Sequence, residues 1–288
     1  MSLLHVIILA IIQGLAELLP VSSSAHVVVA EKLMGLDPTS PAMTLLLVML
    51  HTGTMFAVIV YFWRQWGRTY FRDAQTFKTI IVQLIVASFA TAIIGYGLIE
   101  VIEKFVLHAK GAQVEQLFGR LDLIAPALAA VGILILVAGW KHVPSDARSE
   151  ENGTGLSMGQ AGWIGAVQGL ALPFRGFSRS GATISTGMLL GVAKARAEEF
   201  SFALAVIITP PAIAREAWRL MKAQHITGAA PLASAMGPSI LGAFFAFLAG
   251  LVALKWLSKW LESGRWSWFG IYCLIAACVV AYLHHLGY

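Results

Sequence analysis

Six runs of this 288-residue chain are apolar over the length needed to cross a bilayer, a pattern that restricts it to a bundle of membrane-spanning helices. They lie near residues 41–63, 79–102, 123–140, 200–221, 238–260 and 266–287. A span takes roughly 20 residues, because a helix rises about 1.5 Å per residue through about 30 Å of hydrocarbon. Charged residues make up 12% of the sequence, about half the share in soluble domains. The expected fold is therefore an all-α polytopic membrane protein with a single membrane domain over 1–288. The net charge of +5 comes with no basic tail or charge run, so nucleic acid is not an expected partner.

Two further apolar regions, about 1–35 and 160–193, are interrupted, the first by Pro20 and three serines, the second by Pro173, Gly176 and Gly181. Proline and glycine break helices, so each region reads as two short helices around a polar turn. Irregular backbone at membrane depth survives only inside protein or along a cavity, which makes both regions candidates for re-entrant hairpins. The regions are also related. At an offset of 155 residues, Gln13–Gly14–Leu15–Ala16 recurs as Gln168–Gly169–Leu170–Ala171, Ser23 falls on Ser178, Thr54 on Thr209, and Trp63–Arg64 on Trp218–Arg219. Each half then holds one broken hairpin and three spans, and an odd number of spans inserts the second half with opposite polarity. The expectation is an inverted-topology repeat of 1–140 and 160–288, joined by a polar cytoplasmic linker at 141–159, with the site built where the broken helices meet.

Lysine and arginine give the orientation. Eleven of the 20 fall on one side of the six-span arrangement and seven on the other, with Arg175 and Arg179 left inside. The richer side is expected in the cytoplasm. Residues 103–122 read as an interfacial amphipathic segment. Trp63, Trp66, Trp140, Trp218, Trp256, Trp260, Trp266 and Trp268 sit at span ends and read as the interfacial aromatic belt. Cys273 and Cys278, five apart in the last span, point in different directions and read as packing residues. The opening residues lack a basic region and a cleavage site, so no cleaved leader is expected.

Ionisable groups at membrane depth are costly and are functional candidates by default. In the second hairpin Gly176 and Gly181 bracket Phe177–Ser178–Arg179–Ser180. Glycine-rich turns and helix N-termini present amides to anions, and the run Ala182–Ser185 is placed to begin such a helix. Arg179 offers a planar fork for two phosphate oxygens, and Ser178, Ser180 and Thr183 carry hydroxyls for the others. Capping serines and an Arg179–Glu17 pair would be the plainer account. In the first hairpin Gln13 and Glu17 share a helix face, and Ser22, Ser23, Ser24 and His26 follow Pro20. Serine, histidine and glutamate can supply nucleophile, base and orienter, or the carboxylate can hold a metal; equally they can be a cap, a bonded histidine and an ion pair. His51 reads as a packed histidine rather than a site residue.

These residues carry a resemblance. Gln13-x-x-x-Glu17, the run Leu19–His26, and Gly176–Phe177–Ser178–Arg179–Ser180–Gly181–Ala182–Thr183 are similar to the marks of bacterial undecaprenyl pyrophosphate phosphatases, over nearly the whole chain. One position departs: the proline that the family places directly before the glycine is Arg175 here, with Pro173 two residues earlier. The resemblance implies dephosphorylation of undecaprenyl pyrophosphate to the monophosphate carrier of peptidoglycan synthesis, in the bacterial inner membrane with the site toward the periplasm. It implies Arg179 as the pyrophosphate clamp, Ser23 as leading nucleophile with His26 assisting proton transfer, and Ser178, Ser180 and Thr183 in the pocket with Gly176, Ser22 and Ser24. Glu17 and Gln13 complete the site, Glu17 as ligand if a divalent cation (Mg²⁺ or Ca²⁺) takes part. The expected partners are the prenyl lipid substrate, membrane lipid and, as an open alternative, a second copy of the chain. A lipid-phosphate transporter or flippase using the same pocket is the rival reading, since broken helices in inverted repeats also mark transporters.

Overall fold

Capping side chains set where most of the short helices begin. Ser2 accepts a hydrogen bond from the His5 amide at 3.3 Å and starts helix Leu3–Leu18 (α1). Ser157 and Gln160 form a reciprocal capping box that starts Met158–Leu170 (α6). Ser178 accepts from the Gly181 amide at 3.2 Å and starts Arg179–Leu189 (α7), so this helix begins at Arg179, three residues before Ala182. Of the four short helices described, Ser23–Leu33 (α2) starts without a side-chain cap: its N-cap, Ser22, has φ +68°, the one non-glycine among the described residues with positive φ.

The computed structural model describes residues 2–37, 40–105, 117–141, 155–227 and 233–288. The long helices are Pro41–Thr69 (α3), Ala74–Phe105 (α4), Leu121–Lys141 (α5), Lys194–Thr227 (α8), Ala233–Glu262 (α9) and Trp266–His285 (α10). Each of the six contains a stretch long and apolar enough to span a membrane, as the sequence predicts. The chain is a multi-pass, all-helical membrane protein, with ten helices among the described residues. The Thr76 amide and hydroxyl, with the Arg72 guanidinium, hold the Asp73 carboxyl down at about 2, which caps α4 just outside the spans. The expected linker and interfacial segment fall largely on 142–154 and 106–116, outside the described residues.

The packing exchanges partners between the halves: α1 lies along α9 and α6 along α4, while α3 meets α8 and α5 meets α10. The exchange holds at single residues. A Cβ on Gly14 would sit 2.6 Å from the Ala246 carbonyl oxygen, and one on Gly169 2.9 Å from that of Thr91. Both the glycines and their partners are related by the 155-residue offset. Gly14→Val and Gly169→Val are each expected to cost about 1–3 kcal/mol by forcing these helices apart, measured as lower melting temperatures in detergent.

Trp266 departs from the expected belt. It is 1% exposed, and its Nε1–H donates to Ser185 Oγ at 3.1 Å on α7. Its position at a span end is that of a belt residue, but α7 folds back over it. Both cysteines are free, Cys273 buried and Cys278 exposed.

Candidate active site

The turn between α1 and α2 and the start of α7 lock together through backbone groups. Ser180 Oγ donates to the Leu19 carbonyl at 3.2 Å, and the Gly176 amide donates to Ser24 Oγ at 3.4 Å. Gly176 has φ +100°, and a Cβ there would lie 2.6 Å from the Ile124 carbonyl oxygen, so glycine is required. Thr183 is fully buried and bonds Ser201 of α8 at 2.6 Å as well as the Arg179 carbonyl at 2.9 Å. Ser178, Ser180 and Thr183 thus fix the start of α7 in place.

At this junction Glu17 gathers the polar groups. Its Oε2 accepts from Ser23 Oγ at 2.5 Å and from Gln13 Nε2 at 3.1 Å; its Oε1 accepts from Arg179 Nη2 at 3.0 Å. The Glu17 side chain is only 17% exposed and that of Arg179 22%. Arg179 Nη1 is buried and finds no hydrogen-bond partner among the described residues. A buried guanidinium nitrogen left unpaired is expensive, and it is the feature that most directly asks for an anion. A pocket beside the pair is lined by Glu17, Arg179, His51, Thr54, Met55 and Thr209 among others. Thr54 and Thr209 are the offset-related threonines, one from each half.

The family model for "Bacitracin resistance protein BacA" matches residues 6–279. The chain belongs to this family. "Undecaprenyl-diphosphatase 2" of Acinetobacter baylyi is 56% identical over 285 residues, covering 97% of each chain. "Undecaprenyl-diphosphatase" of Desulfosudis oleivorans is 36% identical over 299 residues, covering 96% of this chain and 97% of the other. The protein of the same name from Rhodopirellula baltica is 33% identical over 284 residues, 98% of each.

In this BacA-family chain His26 stands apart from Ser23. Its Nδ1 is 2.8 Å from the Ser22 carbonyl oxygen and its Nε2 is 2.7 Å from Tyr272 Oη on α10, with the two rings stacked. The carboxylate, not the imidazole, is what touches the Ser23 hydroxyl. Tyr272→Phe removes one bond that orients His26, so it is expected to slow turnover about fivefold, read as kcat against an unchanged melting temperature. Ser22 and Ser24 hydroxyls lie 3.2 Å apart.

His51, read as a packed histidine, has Nδ1 2.8 Å from the Leu47 carbonyl oxygen and Nε2 3.8 Å from Glu17 Oε2, which sets it beside the site. A histidine inside an apolar span was the available signal. Arg175 also finds a place, its guanidinium stacking 4.4 Å over the Phe118 ring. As for a divalent cation, no group of three or more His, Cys, Asp or Glu side chains converges among the described residues. Both Glu17 oxygens face protein donors. These residues do not fit an all-protein cage of about six or more oxygens.

Proposed function

We propose that this chain hydrolyses undecaprenyl pyrophosphate to undecaprenyl phosphate and inorganic phosphate, returning the lipid carrier to peptidoglycan synthesis. The observation that carries the proposal is the Glu17 carboxylate holding Ser23 Oγ at 2.5 Å and Arg179 at 3.0 Å, with Arg179 Nη1 still unpaired. The names of the relatives support the same reading, and nothing in them supports transport.

In the proposed reaction the Ser23 proton passes to Glu17 as Oγ attacks the terminal phosphorus. The bond from that phosphorus to the bridging oxygen breaks, and undecaprenyl phosphate departs with the bridging oxygen's electrons. Water then attacks the phosphoserine phosphorus and passes a proton to His26, the Oγ–P bond breaks, and Ser23 Oγ takes back the proton held by Glu17 as inorganic phosphate leaves. Phosphoryl transfer is mostly positioning and charge stabilisation, which Arg179 supplies through its fork and the start of α7 through its amides. Gln13 orients Glu17, while Ser22, Ser24 and Gly176 frame the phosphates. Ser178, Ser180 and Thr183 act by holding Arg179 on its helix. Because Glu17 and not His26 touches the Ser23 hydroxyl, we assign Glu17 to the serine proton in both steps and His26 to the proton of the attacking water.

The 155-residue offset and the exchanged glycine contacts support an inverted repeat with α1–α2 and α6–α7 as re-entrant hairpins. The bias of lysine and arginine supports a site facing the periplasm. Purified protein given farnesyl pyrophosphate is expected to release phosphate. A chelator arm tests whether a cation bound to the pyrophosphate is needed. Movement of labelled lipid between leaflets without hydrolysis would favour the transporter instead.

A further inference from the structure

A second cleft opens on the seam between α3 and α8, lined by Tyr61, Arg64, Gln65 and Arg68 on the first helix and Arg196 and Glu199 on the second. Along α3 its lining begins at Tyr61, seven residues beyond Thr54, and along α8 it ends at Glu199, ten residues before Thr209. At about 1.5 Å per residue that is roughly 10–15 Å from the two threonines of the Glu17 pocket. The cleft therefore lies at one end of the helix pair and the Glu17 pocket near its middle.

Its charges do not balance internally. Glu199 is the only carboxylate lining the cleft; its Oε2 accepts from Arg196 Nη1 at 2.9 Å, and its Oε1 accepts from Gln65 Nε2. Tyr61 donates to Ser258 at 3.0 Å, and Ser258 in turn to Glu198 at 2.6 Å, so that wall is satisfied as well. Arg64 and Arg68 remain. They lie four apart on one helix face, exposed, and neither makes a hydrogen bond or ion pair among the described residues. Like charges at this spacing repel, and Arg196 adds a third across the cleft. Exposed Trp63 beside them marks the level of a membrane interface.

We propose that this cleft binds a phosphate group, either the head group of an anionic phospholipid or inorganic phosphate, at a site separate from the hydrolytic one. Arginine forks match phosphate oxygens, and interfacial arginines draw anionic lipids. The hydrolytic reading is not needed for this inference.

Full-length protein in phosphatidylcholine nanodiscs containing phosphatidylglycerol tests one source, by counting retained phosphatidylglycerol in native mass spectrometry. Calorimetric titration with inorganic phosphate tests the other. The Arg64→Gln/Arg68→Gln variant should bind the retained probe roughly tenfold more weakly. Lys255→Gln/Lys259→Gln loses the same charge from two exposed lysines, also four apart, and should bind as wild type. Saturable phosphatidylglycerol alone makes the ligand a head group; saturable phosphate alone makes it the free ion. Equal weakening by the two variants, or saturable binding of neither probe, overturns the site. Farnesyl pyrophosphate hydrolysis by both variants checks that they are folded.

Discussion

Arg179→Ala is expected to cut phosphate release from farnesyl pyrophosphate by roughly a thousandfold. Two losses are bundled in that number. The substrate loses the guanidinium bonded to Glu17, whose Nη1 is buried and has no partner among the described residues. Glu17 also loses its counter-charge in a site where its side chain is 17% exposed, and breaking such a pair is destabilising in itself. The double variant Glu17→Gln/Arg179→Ala separates them: it should recover melting temperature but not turnover. Arg179→Lys keeps a charge but not the fork, and is expected to fall about a hundredfold. Turnover near wild type in the alanine variant would remove Arg179 from the mechanism.

Ser23→Ala is expected to be as damaging, at least about a thousandfold, because it removes the attacking oxygen itself. A covalent step leaves a trace: acid-quenched wild-type protein should retain label from a terminally labelled pyrophosphate, and the Ser23→Ala protein should not. Neighbouring serines provide the control. Ser24→Ala gives up the 3.4 Å bond from the Gly176 amide and the 3.2 Å contact to Ser22, and Ser22→Ala that contact alone. Both should stay within about tenfold of wild type. If one of them abolishes labelling while Ser23→Ala does not, the nucleophile lies elsewhere in the run.

The spans were legible because length and apolarity are local properties, and so were the breaks at Pro20 and around Gly176. Residues whose roles depend on distant partners were not. His51 is an ordinary membrane histidine until α1 brings Glu17 within 3.8 Å, and Tyr272 an ordinary span tyrosine until His26 stacks on it. Trp266 was misread for the same reason: the cover comes from α7, 81 residues away in sequence. The repeat was readable as spacing but not as chemistry. Gln13 donates to the Glu17 carboxylate, whereas its counterpart Gln168 donates to Thr91 Oγ1 at 3.2 Å. Like positions in the two halves serve unlike contacts, one to a carboxylate and one to a threonine hydroxyl.

The ties between the Leu19 carbonyl and Ser180, and between Ser24 and the Gly176 amide, also set a schedule. A chain emerging from the ribosome presents Glu17 and Ser23 early, but Arg179 follows Glu17 by 162 residues. Until then the carboxylate has no guanidinium beside it and the serine no clamp to hold a phosphate against. On the proposed mechanism a chain truncated before Arg179 is expected to be inert toward the pyrophosphate, and competence waits for the second half to dock.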